Sequence, residues 1–100
     1  MGFTWLNKQG VESEDGFALQ SISRFAFEYR EGSKTMRLGG ESLFANLGTA
    51  LFGFGFYPGW RNAKWEPPHE NEAISEEHRK RIVKNIEAAM AFMKGKAKFE

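Results

Sequence analysis

The residues best equipped for chemistry lie in one stretch, Trp65-Glu-Pro-Pro-His-Glu-Asn-Glu-Ala-Ile-Ser-Glu-Glu-His78. Its fourteen residues hold five glutamates, two histidines and two prolines. Imidazoles and carboxylates are ligands for zinc and partners in general acid–base catalysis. The spacing argues against both roles. A zinc-protease site needs His-Glu-x-x-His on a helix, and after His69-Glu70 the second histidine is replaced by Ala73. Pro67 and Pro68 hold the residues before them out of the helical region, so His69 and His78 belong to different elements. No metal site is expected. The prolines are read as a stiff exit from a sheet, and the glutamates as a solvated loop that favours a helix start.

Other nucleophiles fare no better. The six serines include none in a Gly-x-Ser-x-Gly elbow, Asp15 is the lone aspartate, and there is no cysteine. That excludes disulfides, thiolate catalysis and cysteine-bound metals. No catalytic residue and no cofactor is assigned, and the chain is not expected to be an enzyme.

The elements that must position this stretch follow from periodicity. Residues 1–16 read as a lead-in, with Phe3, Trp5 and Leu6 as anchors, and residues 17–100 as one domain. From Phe17 the period is two, and Phe25, Phe27 and Tyr29 share a face against Ala26, Glu28 and Arg30. Glu31-Gly-Ser33 turns the chain into a return strand with Met36 and Leu38 inward, closed by Gly39-Gly40. Glu41 to Thr49 fits a loop or a short helical turn. Ala50 to Tyr57 is a strand ended by Pro58-Gly59. Ser75 to about Lys94 is helical: Ile82, Val83, Ile86, Ala89, Met90 and Met93 form one stripe, Ser75 is the N-cap, and Gly95 stops the helix. Residues 96–100 supply a last short strand with Ala97 or Phe99 inward. The expected fold is α+β, an antiparallel sheet of about four to five strands with one long C-terminal helix on one face.

Composition narrows the partners. Fourteen basic and thirteen acidic side chains leave a net charge of +1, which names none of them. Arg79-Lys-Arg81 and Lys94/Lys96/Lys98 read as solvated faces. No apolar run is long enough to span a bilayer and the N-terminus lacks a signal-peptide layout, so a cytoplasmic protein is expected. Phe52-Gly-Phe-Gly-Phe56 echoes the RNA-binding signature in which sheet aromatics stack on bases. Phe52 stands where a basic residue belongs, and a core strand with glycines for close backbone approach is the simpler reading.

Tyr29-Arg-Glu-Gly32 in a hairpin, Trp65-Glu-Pro-Pro-His69, Ile74-Ser75, Arg79, Ile82, Ile86 and Ala89 to Phe92 together resemble a family of small bacterial immunity proteins from polymorphic-toxin systems. The resemblance covers roughly residues 17–100, and Trp-Glu-Pro-Pro followed by Ile-Ser and the helix is its most specific part. It implies a compact α+β domain that binds and neutralises a cognate toxin. Trp60, Arg61, Trp65, Glu66, His69, Glu70 and Glu72 are the candidate partner-binding residues, because amphipathic rings beside charge are enriched at interface hot spots. The competing reading has Trp60 and Trp65 closing the sheet edge under the helix. The alternative function is an RNA or single-stranded nucleic-acid module using the Phe52–Phe56 strand. The sequence names neither the toxin nor an oligomeric state.

Overall fold

A computed structural model describes residues 2–43 and 52–100. Seven strands form one sheet in the order β1 (Phe3–Asn7), β2 (Gly10–Ser13), β3 (Phe17–Ser23), β4 (Ala26–Glu31), β5 (Lys34–Leu43), β6 (Phe52–Phe56) and β7 (Gly95–Phe99). Each strand lies beside its neighbour in sequence. All pairings are antiparallel except β6 with β7, which run parallel because the helix α1 (Glu76–Phe92) carries the chain back between them. The fold is α+β with one α-helix among the described residues, as expected, but the sheet has seven strands and not four to five, and it is mixed and not wholly antiparallel. The two additional strands, β1 and β2, come from the stretch read as a lead-in. Phe3 packs edge-on against Phe17 at 5.8 Å and Val11 is fully buried, whereas Trp5 and Leu6, also expected as anchors, are exposed.

The sheet curls at β5. Lys34 to Gly39 pair with β4, whereas Gly40 to Leu43 pair with β6. The expectation that Gly39-Gly40 ends the hairpin is corrected here: the strand runs through both glycines. Gly40 faces β6 so closely that a Cβ would lie 2.2 Å from the Gly55 carbonyl oxygen. A side chain there has no room. The former ambiguity over Glu41 to Thr49 is settled for Glu41 to Leu43, which continue β5; the remainder, with Ala50 and Leu51 of the expected strand, lies outside the described residues.

Helix α1 fills the inside of the curl. Ile82, Ile86, Ala89 and Met90 are its buried residues, spaced at the helical period, with Met93 buried just beyond. They meet Leu19, Tyr29, Met36 and Phe56 of the sheet in one core. Ser75 caps the start, its Oγ accepting the His78 backbone N–H at 3.0 Å, and Glu76 and Glu77 complement the positive end of the helix dipole. At the other end the left-handed position falls on Lys94 (φ 66°), one residue before the glycine expected to stop the helix. Gly95 instead begins β7, where Phe99 stacks on Phe56 at 4.7 Å.

Candidate functional site

Between β6 and α1 the chain makes a one-turn 3-10 helix (Pro58–Arg61) and then the loop that carries the glutamates. Trp65 anchors that loop. Its ring is 2% exposed, stacked on Tyr29 at 6.5 Å and tilted against His78 at 5.9 Å. The next residue, Glu66, donates its backbone N–H to Thr35 O at 2.7 Å, which fastens the loop to β5. Arg37 pairs with the Glu66 carboxylate at 3.2 Å, and Lys34 with that of Glu72. Two successive turns follow, His69 N–H to Glu66 O and Glu72 N–H to His69 O, both 3.0 Å. The acidic segment is therefore a folded structure pinned by one buried ring and two ion pairs.

The sequence-predicted residues divide into two groups. Trp65 belongs to the core, which answers whether its ring is buried or exposed. Trp60 is half-buried, its edge against Phe99 at 5.4 Å and its Nε1 donating to the main-chain oxygen of Glu100 at 2.6 Å. The Arg61 guanidinium lies 5.2 Å over the Trp60 ring, and its Nε donates to the same Glu100 oxygen at 3.1 Å. Both residues thus tie the 3-10 turn to the end of β7. Arg61, Glu70 and Glu72 are exposed, and Glu66 and His69 are partly so. His69 Nδ1 meets Glu72 Oε2 at 2.5 Å. Hydrogen bonds from Lys34 first, and from His69 second, hold the Glu72 carboxyl below the usual glutamate range.

One cluster escaped the sequence reading. His78, on the third residue of α1, faces Glu31 at the end of β4, with Nε2 2.9 Å and 3.1 Å from the two carboxylate oxygens. Tyr29 donates its hydroxyl to the same carboxylate at 2.5 Å and accepts from Asn85 Nδ2 at 2.9 Å. Burial, more than any neighbour, drives the Tyr29 hydroxyl far above its ordinary pKa, so it remains a donor. A cleft of about 600 Å³ opens over this network, with Asp15, Lys34 and Arg81 on its sides. A histidine–carboxylate pair can carry a proton in catalysis. Here its hydrogen bonds run to Tyr29 and Asn85 within the fold, and the arrangement ties β4 to α1. The signal was faint in sequence: Tyr29 and Glu31 lie on one strand face, but nothing pointed to a partner 47 residues away.

His69 and His78 do not meet. Each takes a different glutamate, and among the described residues no three His, Asp or Glu side chains converge as a metal site. In the glycine–aromatic strand two rings are core: Phe54 is 4% exposed and Phe56 fully buried, 4.9 Å apart in edge contact. Those two rings offer bases no stacking platform, which removes the geometric ground of the nucleic-acid reading at this strand. No helix among the described residues is long and apolar enough to cross a membrane. A family model described as Immunity protein 74 matches residues 20–100, while no curated protein and no solved structure matches the chain.

Proposed function

We propose that this chain, which belongs to the immunity protein 74 family, binds a cognate bacterial toxin domain in the cytoplasm and neutralises it through the loop between β6 and α1. The observation that carries the placement is the charge of that loop. Between Glu66 and Glu77 there are five glutamates and no lysine or arginine. Lys34 and Arg37 engage Glu72 and Glu66, and no ion pair is formed by Glu70, Glu76 or Glu77 among the described residues. Three carboxylates thus face solvent on a segment that is already folded, so binding orders little chain. An acidic, preorganised ridge complements a basic cleft of the kind that holds phosphates, and occupying such a cleft blocks it. Glu70, Glu76 and Glu77 present the acidic face, Arg61, His69 and Glu72 add contacts beside it, and Trp60, Trp65 and Glu66 hold them in place.

The test is co-expression with the toxin domain encoded beside it. The native protein should restore growth, and Glu70→Lys/Glu76→Lys should protect poorly while melting close to the native midpoint. Reversing Glu76 at the helix start costs only about 0.3–1 kcal/mol. Full protection by the folded double variant would move the interface off this loop. Failure of the native protein to protect would remove the inhibitor reading.

A further inference from the structure

We propose that the open end of the curled sheet, beside the C-terminus of α1, is a second docking site, which takes an apolar side chain carried on an acidic segment of a partner protein. It lies at the other end of α1 from the glutamate loop and does not depend on the toxin reading. A pocket of about 270 Å³ opens there between β1, β3, β4, β6 and the end of the helix. Phe27, Phe54 and Met93, at most 7% exposed, give it an apolar floor, and the neutral polar Gln9, Ser21, Ser23 and Ser42 line it as well. The volume is just below the range of small-molecule pockets and suits one or two inserted side chains.

The mouth differs from the floor. Trp5 stands at the rim with half its surface exposed, backed by the exposed Phe92 ring at 5.7 Å. An exposed tryptophan beside an apolar pocket is the composition of a binding hot spot, since a soluble surface gains nothing by leaving such a ring in water. Among the described residues Lys8 and Arg24 are the charged side chains lining the pocket, both exposed and neither in an ion pair. The Arg24 guanidinium lies 5.7 Å over the ring of Phe25, itself 57% exposed. No carboxylate lines the pocket among the described residues. Charge of one sign around an apolar socket selects the complementary segment: Leu, Ile, Phe or Met flanked by Asp or Glu. A nucleic-acid strand fits less well, because two cations do not track a phosphate backbone and the buried floor presents no row of stacking faces.

A random peptide library selected on the native protein and counter-selected on Lys8→Glu/Arg24→Glu tests this directly. Enriched sequences should place an apolar residue between acidic ones. Synthetic copies of them should bind at least about tenfold more weakly to the charge-reversed variant and to Trp5→Ala. Their affinity should also fall with added salt. All three side chains are exposed, and Lys8→Gln/Arg24→Gln serves the same comparison should the reversed variant not fold. Basic or unpatterned enrichment would overturn the proposal. So would peptides that bind all variants alike, or tighter binding of a single-stranded oligothymidine than of any acidic peptide.

Discussion

A tryptophan with 2% of its surface exposed, stacked on Tyr29 and touching His78, acts through packing. Trp65→Ala should destabilise the fold by about 3–5 kcal/mol, the usual range for emptying a large aromatic site, and loss of any activity would follow from stability. Denaturant unfolding measures it; a loss below about 1 kcal/mol would mean the ring is not an anchor. Glu72 behaves differently because it is on the surface. Lys34 and His69 stabilise its ionised form, so its folded pKa is depressed. A depressed carboxylate contributes above its unfolded pKa, and that contribution is lost as pH falls through the lower folded value. The Lys34–Glu72 clip should therefore persist below the normal glutamate range and release only in stronger acid. A carbon-13 titration of the Glu72 side chain reads this, and Lys34→Ala should return its midpoint upward. An unchanged midpoint in that variant would show that Lys34 is not the cause. Tyr29 has the opposite sense: its neutral form is favoured, so its hydroxyl should be missing from the ordinary alkaline absorbance titration until the protein unfolds.

Among the elements, α1 separates packing from charge most cleanly. Ile86 is fully buried between the helix and the sheet, whereas Lys84 faces solvent. Ile86→Ala should cost about 2–5 kcal/mol and Lys84→Ala less than about 0.5 kcal/mol, read from denaturant midpoints at constant slope. Similar costs at both sites would rotate the helix away from the face described. This helix was legible in the sequence because an apolar stripe at helical spacing runs from Ile82 to Met93, and its cap, Ser75, stood directly before the acidic first turn. The strands from Phe17 to Leu38 were legible for the same reason at period two, except that Phe25, read on one face with Phe27 and Tyr29, lies in the turn before β4 and is exposed. The outer hairpin was not. In β1 four of five residues are exposed, so alternation carries no burial signal, and only pairing with β2 makes it a strand. The run of β5 through Gly39-Gly40 was also hidden, since paired glycines punctuate most chains as a turn. Gly40 is needed because the corner brings it against Gly55, a contact between residues that no local pattern connects, whereas a Cβ at Gly39 would meet only ordinary contacts. The site was legible as a charge pattern but not as a geometry: which carboxylates are clipped, and that Trp65 is buried, depend on β5 lying beneath the loop.

The whole molecule sets unlike surfaces at the two ends of α1. The carboxylates of Glu70, Glu76 and Glu77, in no ion pair among the described residues, gather where the helix begins, and Trp5, Lys8 and Arg24 stand around a pocket with an apolar floor where it ends. At a net charge of +1 the molecule as a whole steers nothing. Steering must come from the local field, whose reach is about 8–10 Å at physiological salt. This makes a kinetic prediction for the toxin complex proposed above. Carboxylates at a rim act mainly on the encounter, so Glu70→Lys/Glu76→Lys should lower the association rate, by about tenfold or more at low salt, and flatten its dependence on ionic strength. Arg61 is held against Trp60 and the end of β7, and a contact made by such a preorganised side chain acts after encounter. Arg61→Ala should therefore raise the dissociation rate and leave the association rate within about threefold. Stopped-flow or surface-binding kinetics over a salt series distinguish the two effects. If the glutamate variant instead changed only dissociation, the loop would be a contact without a steering role. If neither variant changed either rate, the toxin would be held at another face.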